Sequence, residues 1–469
     1  MLVSGEELRQ RRSDLGISQA RLAELSGVDQ HKISAYELGK LCLDSVSLGQ
    51  VSEVVLNSGD YQKSISRKKR YRSHSYEANR RDAVRVARAK LTAGNLDYRM
   101  ELAQLLKKGN GDLSAISLFS GIGGLSLGFE AAGYKIAGFC ELSDELAEIY
   151  TANFPGTERL GSDVSHLDPD KLRNFCERMG PIDVIVGGPP CQGFSLSGKR
   201  SVEDPRNYLF QEYMKIVDIV RPRVVVVENV RLLTSMKSKD GGFVRDHIIS
   251  DLESHGYRAK LFEIDAADYG VPQNRQRVFF VGVRRDQFAE PSFPRKDHSN
   301  SADLFDAPRP HRTFADACSD LAYLESGDAS NDPMHVAVQH PDHVIEWLWD
   351  VPEGFSAHDN ENPALRPPSG YNTTYKRQIW LEPAATVQTT FGMISGCRNV
   401  HPIATRSLTV REAARIQTFP DDFVLRGSMG TIRTGIGNAV PPLLAKKIAL
   451  HLRSSLFDLV KIPSLKVEL

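Results

Sequence analysis

Three side chains of this sequence form a chemically coherent set: the thiol of Cys191, the carboxyl of Glu228 and the guanidinium of Arg277, with Arg275 two residues before it. A thiolate is a nucleophile, a carboxyl group moves protons, and a guanidinium stabilises negative charge building on an oxygen. Such a set suits attack on an electron-poor ring whose nitrogen and carbonyl must be polarised. Carbon 5 of cytosine poses that problem, because it is a poor nucleophile while the ring stays aromatic. A thiolate adding at carbon 6, with a proton donor at N3 and a cationic donor at O2, yields an enamine whose carbon 5 can attack a sulfonium methyl. Loss of the carbon 5 proton and of the thiolate then restores the ring.

Each of these residues stands at the end of an apolar run. Cys191 follows Ile182 to Val186 through Gly187-Gly188-Pro189-Pro190, which continues neither strand nor helix. Glu228 follows Val224 to Val227, and Arg275 and Arg277 directly precede Val278 to Val283. Two earlier runs, Ala115 to Phe119 and Lys135 to Phe139, alternate with helical stretches. This alternation predicts an α/β, Rossmann-like fold with a parallel sheet covered on both faces. Ligands bind at the carboxyl ends of such strands.

The first run leads into Ser120-Gly121-Ile122-Gly123-Gly124 and a helix at Leu125. Glycines let the backbone approach a ligand, and a helix N-terminus favours negative charge. Glu141, after the second run, can hydrogen-bond ribose hydroxyls, and Asp163 can accept from an adenine amino group. The third glycine of the dinucleotide fingerprint is replaced by Ser126, which disfavours a dinucleotide. S-adenosyl-L-methionine, with an adenosine and a carboxylate but no phosphate, does not need that fingerprint.

Residues 4 to 56 read as short helices over Gly5 to Leu15, Ser18 to Ser26, Asp29 to Leu38 and near Ser45 to Leu56. Ser18 and Asp29 are N-cap candidates and Gly27 a terminator. Two short helices joined by a Gly-containing turn form the helix-turn-helix pattern, which makes Gln30, His31, Lys32, Ser34 and Tyr36 candidate DNA readers. Lys plus Arg and Asp plus Glu both count 59, so distribution carries more information than the sum. The stretch from Lys63 to Lys90 is strongly basic and attracts phosphate. Residues 284 to 406, rich in Pro, His, Asp and Asn, read as an irregular inserted domain. Helices at Val410 to Ile416 and Val440 to His451 follow it.

The 469 residues, 41% hydrophobic, supply material for two or three domains. The six Cys lie apart without a CxxC pair or a His cluster at zinc spacing, so no disulfide framework and no metal site is expected. No signal-peptide stretch and no run of the ~18 apolar residues of a membrane span is visible. A soluble protein of the cytoplasm is expected.

Phe119-Ser-Gly-Ile-Gly-Gly124, Gly188-Pro-Pro-Cys-Gln-Gly-Phe-Ser195, Asp204-Pro-Arg-Asn-Tyr-Leu-Phe210, Glu228-Asn-Val230, Gln273-Asn-Arg-Gln-Arg277 and Gly437-Asn-Ala-Val-Pro-Pro442 stand in the order of the motifs of the DNA (cytosine-5) methyltransferases. From Ala115 to His451 the sequence resembles that family, and its first 60 residues resemble phage-repressor-like helix-turn-helix domains. The resemblance implies Cys191 as nucleophile, Glu228 as N3 partner and Arg277 as O2 donor. It places Phe119, Gly121, Gly123, Glu141, Asp163, Pro189 and Asn438 around S-adenosyl-L-methionine, and Ser195 and Ser197 in a loop closing over DNA. The implied organisation is a helix-turn-helix domain (1–60), a basic linker (61–112), a catalytic domain (113–283), a target-recognition domain (284–406) containing Thr386 to Thr390, and a return to the catalytic domain (407–460). Leu142 departs from the aromatic residue of some relatives, which removes a stacking partner for adenine.

The implied partner is double-stranded DNA with the target base flipped out. The implied setting is a bacterial restriction–modification system, with the protein on the nucleoid when bound to DNA. An amino-group methyltransferase is disfavoured, since Gly188 and Cys191 occupy the places of its acid or Asn and its aromatic residue. An RNA cytosine methyltransferase shares the covalent chemistry. A repressor with an idle enzyme half is the reading from another class, and a helix-turn-helix can dimerise on a palindrome.

Overall fold

The computed structural model describes residues 4–14, 19–56, 94–190, 209–237, 241–300 and 309–457. They fall into two units, Met1–Arg85 and Val86–Leu469. In the second, a seven-stranded sheet runs in the order β3-β2-β1-β4-β5-β8-β6. Its strands are β1 (Leu113–Leu118), β2 (Tyr134–Cys140), β3 (Glu158–Gly161), β4 (Val184–Gly187), β5 (Val224–Val230), β6 (Tyr257–Asp265) and β8 (Gln276–Arg284). The short β7 (Gln273–Asn274) pairs instead with β9 (Ala384–Ala385).

The strands β3, β2, β1, β4 and β5 are parallel, in that spatial order. The Val-Ile-Val-Gly of β4 and the four valines opening β5 are wholly buried, because helices cover both faces of the sheet. Val184, Val186, Val224 and Val226 meet Phe129 and Leu444, from the helices Gly124–Ala131 and Pro442–Leu452. Ile185, Val225 and Val227 meet Tyr213 and Ile248, from Leu209–Val220 and Val244–Ser254. Since β2 and β4 flank β1, the connections leave β1 in opposite directions, which opens a crevice at the carboxyl ends of β1 and β4.

The expectation of a parallel sheet is corrected at one strand. β8 runs antiparallel to both neighbours, β5 and β6. β6 itself carries little sequence signal, because at the sheet edge it is mostly half-buried and interleaves Arg258, Lys260 and Glu263 with its apolar residues. The reversal of β8 puts its first residues beside the last residues of β5.

Residues 309–406 do not form a body apart. Phe314, Trp380, Val387 and Phe391 share one core with Ile122, Phe139, Tyr150 and Ile432. A smaller cluster of Val344, Leu348, Val351, Ala357, Ile394 and Val400 is local to the insertion. The stretch read as a linker also contains structure: residues 94–104 are helical, Tyr98 and Leu102 are buried in the larger core, and the Tyr98 hydroxyl donates to the Arg415 carbonyl.

The first unit contains the helices Gly5–Asp14, Gln19–Ser26, Gln30–Glu37 and Ser45–Leu56 around Leu8, Leu22, Val28, Ile33, Val51 and Val55. Asp29 caps the third helix, accepting from the backbone N–H of His31 (2.9 Å) and Lys32 (3.3 Å), and Gly27 ends the second at φ 71°. Buried Glu37 accepts from Arg12 Nε and Nη2 at 2.6 and 2.9 Å and from Gln19 Nε2 at 2.7 Å, which stitches the first three helices together. The Ser18 cap lies outside the described residues.

Candidate active site

The antiparallel ladder of β5 and β8 assembles the centre of the site. Glu228 pairs with Phe279 and Val230 with Arg277, so Glu228 and Arg277 are diagonal neighbours on one face. Arg277 Nε lies 2.9 Å from Glu228 Oε1, with the two side chains 15% and 13% exposed. Arg277 Nη1 donates to the Gln276 carbonyl at 2.8 Å. Nη2 takes no hydrogen bond among the described residues, so a ligand oxygen can use it.

The loop leading to Cys191 is tied to the same strand. Asn229 Nδ2 donates to the Pro189 carbonyl at 3.0 Å, which fixes the last described turn before the thiol. Gly188 lies against the carboxylate: a Cβ there would come within 2.9 Å of Glu228 Oε2. Gly188→Ala should therefore leave the fold intact but push the carboxylate off its place. A misplacement of this kind costs on the order of 10²-fold in turnover. Turnover measured beside the melting temperature checks this, and unchanged turnover would show that the carboxylate tolerates the shift.

A candidate cofactor cradle forms at the ends of β1 and β2. The turn after β1 passes through positive φ at Phe119 (53°), Gly121 (54°) and Gly123 (97°), and its backbone curls over Glu141. Glu141 accepts from Gly121 N–H at 2.7 Å and from Ser143 N–H at 3.0 Å, one on each carboxylate oxygen. Each oxygen keeps a lone pair, so two ribose hydroxyls can still be bound. The open space where a Gly121 Cβ would project leaves room for a ligand at this carboxylate. Leu142 is 71% exposed. Asp163 accepts from Ser165 N–H at 2.9 Å and faces His166 Nδ1 at 3.1 Å, holding its carboxylate at the end of β3. Pro189 is buried after β4, and Asn438 is exposed at the end of the helix Met429–Asn438. The two carboxylate acceptors, Glu141 and Asp163, suit the hydroxyl and amino donors of an adenosine.

Arg275 differs from the expectation of a catalytic group. It is 1% exposed, and its guanidinium donates to the carbonyls of Val387, Gly437 and Ala439. Burial, and after it the like charge of Arg277, push this guanidinium well below its usual pKa. Arg275 falls between β7 and β8, outside the regular ladder, and its side chain is spent on the protein interior while Arg277, within β8, reaches Glu228. Cys191, Ser195 and Ser197 lie outside the described residues. In the first unit Gln30, His31 and Lys32 are exposed and Ser34 is half-buried. Sequence reasoning gave no role to Asn229, Gly188, Gln273 or Gln417. The first three stand inside recognisable motifs, whereas the buried Gln273–Gln417 contact of 2.6 Å joins segments whose proximity no spacing announces.

Among the described residues no helix is long and apolar enough to cross a membrane, and no group of three or more His, Cys, Asp or Glu could hold a metal. The model of the family described as C-5 cytosine-specific DNA methylase matches residues 113–454. Type II methyltransferase M1.HphI of Haemophilus parahaemolyticus is 38% identical over 342 residues, covering 72% of this chain and 86% of that protein. Type II methyltransferase M.DdeI of Desulfomicrobium norvegicum is 32% identical over 376 residues, covering 72% and 88%. A crystal structure from E. coli, described as a putative DNA modification methyltransferase encoded within a prophage, superposes with a TM-score of 0.58 at 25% identity. It covers 73% of this chain and 99% of that one.

Proposed function

The chain belongs to the C-5 cytosine-specific DNA methylase family, and from that membership we propose that it methylates carbon 5 of a flipped-out cytosine through a covalent Cys191 adduct. It is a DNA (cytosine-5) methyltransferase related to the modification enzymes of type II systems, and its substrate is double-stranded DNA. Enzymes of this family take the methyl group from S-adenosyl-L-methionine. The observation that carries the reading is the Glu228–Arg277 pair at 2.9 Å, at the end of β5 and tied through Asn229 to the loop that leads to Cys191.

In this reading the Cys191 thiolate adds to carbon 6, Glu228 serves N3, and Arg277 holds O2 while negative charge develops there. Arg277 also keeps the Glu228 carboxyl oriented. Phe119, Gly121, Gly123, Glu141, Asp163, Pro189 and Asn438 would hold the cofactor, which supplies an electrophilic methyl group. Ser195 and Ser197 would close over the DNA, and residues 284–406 would form a target-recognition region that shares the catalytic core. The test is transfer of labelled methyl from S-adenosyl-L-methionine to diverse unmethylated DNA, with mass identification of the product. 5-Methylcytosine supports the reading; N-methylated bases, or methylation of tRNA alone, would overturn it.

A second activity is favoured by the first unit, where a helix capped by Asp29 presents Gln30, His31 and Lys32 to solvent. We propose that residues 4–56 are a helix-turn-helix that binds a promoter, the protein's own being the first to try. A labelled promoter fragment should bind the full chain and not a chain lacking those residues. Equal binding by both would sink the idea.

A further inference from the structure

We propose that Arg275 is a positioning residue that joins the base-binding and cofactor-binding halves of the cleft, so that DNA and cofactor each tighten the binding of the other. The inference rests on the reading of Glu228, Arg277 and Asn438 given above. Arg275 Nη1 donates to the Val387 carbonyl at 3.1 Å, and Nη2 donates to those of Gly437 and Ala439 at 2.9 and 3.0 Å. Gly437 and Ala439 flank Asn438, so one guanidinium nitrogen grips the backbone on both sides of a cofactor-site residue. Val387 is the second residue of the segment Thr386 to Thr390.

The backbone of Arg275 is fixed as firmly. Its N–H donates to Asp265 Oδ1 at 2.9 Å and its carbonyl accepts from Ala266 N–H at 3.0 Å. Arg277 stands two residues further along, in β8. Gln273 and Gln417 complete the joint: Gln273 Oε1 accepts from Val387 N–H at 2.8 Å, and Gln417 Nε2 donates to the Ile436 and Ala439 carbonyls at 3.0 and 2.6 Å. The contact is close, since a Cβ on Gly437 would lie 2.4 Å from the Thr389 nitrogen.

The choice of arginine is informative. Arg406, equally buried, has a carboxylate partner in Glu412. Arg275 has only carbonyls, and its Nε is buried without a hydrogen bond. A buried charge without a counter-ion is costly and demands a reason. Converging carbonyls supply one, because the planar guanidinium spreads its donors over two nitrogens and so reaches Val387 from one and Gly437 and Ala439 from the other, while an ammonium holds all its donors on a single atom. A shift of the Val387 segment on DNA is thereby transmitted to the Asn438 turn, and coupling of this kind must be reciprocal.

The test uses the full chain, S-adenosylhomocysteine as the probe, and a duplex carrying the sequence that the wild-type enzyme methylates. In calorimetric titration the duplex should tighten probe binding to the wild type by at least about fivefold. In Arg275→Lys and Arg275→Met that gain should fall to within about twofold, and the probe should bind at least about tenfold more weakly without DNA. Leu252→Ala, which opens a core site behind β6 and β8, serves as a stability-matched control and should keep the coupling. Should neither Arg275 variant fold, Gln417→Met removes two donors from the same joint and carries the same readout. Coupling that survives these changes, or a wild type that binds the probe without coupling, overturns the proposal. A wild type that binds no probe overturns the cofactor reading of the cleft itself, and the proposal with it.

Discussion

Cys191→Ala should abolish methyl transfer, with a loss of at least about 10⁴-fold, the order seen when a covalent nucleophile is removed. The size follows from the substrate. Carbon 5 of an intact cytosine ring has no usable nucleophilicity, so orientation by Glu228 and Arg277 cannot substitute for addition at carbon 6. Cys191→Ser should be nearly as inactive, since a hydroxyl near neutral pH supplies almost no alkoxide. Both variants should still bind DNA, because the phosphate contacts that dominate affinity do not involve the thiol. Two measurements separate the step. Methyl transfer reports the whole reaction, and release of tritium from DNA labelled at cytosine carbon 5 reports the addition. Loss of both with DNA binding retained places the defect at the adduct. An alanine variant keeping more than a few per cent of wild-type transfer would mean that no covalent adduct is required.

The sequence suggests this chemistry more directly than it suggests the scaffold. The runs at β4 and the start of β5 are buried on both faces, and continuous valine and isoleucine betray such strands directly, whereas β1 and β2 show as shorter apolar runs with Ser or Lys among them. β6 was invisible because an edge strand can carry charged residues on its open side. The antiparallel direction of β8 was equally hidden, since a run of apolar residues has no polarity. Yet that direction brings Arg277 from the beginning of one strand to Glu228 at the end of another. The paired arginines of Gln273-Asn-Arg-Gln-Arg277 look alike in sequence, and the break between β7 and β8 at Arg275 separates them, with one side chain at Glu228 and the other on backbone carbonyls. The inserted region looked independent because its irregular loops have no period. Its Phe314, Trp380 and Phe391 nonetheless share a core with Ile122 in the turn after β1, a long-range contact that composition cannot report.

Glu228→Gln should lower turnover by about 10² to 10⁴-fold, the range for removing a positioned proton donor or acceptor. The amide is close in size and can still accept from Arg277, so the fold should be little disturbed. What it cannot do is hand a proton to N3 when carbon 6 is attacked and take it back when the thiolate leaves. Glu228→Ala is a different experiment. It leaves the Arg277 guanidinium, 15% exposed, without its counter-ion. Breaking a buried pair costs up to about 3–5 kcal/mol, so that variant should lose stability as well as turnover. The double variant Glu228→Ala with Arg277→Met should recover much of the stability and none of the activity. Melting temperature and single-turnover rate, measured on all three, divide the structural role of the pair from its chemical one. A Glu228→Gln enzyme turning over at more than a tenth of the wild-type rate would leave Glu228 as the counter-ion of Arg277 alone, and the proton at N3 would have to come from solvent.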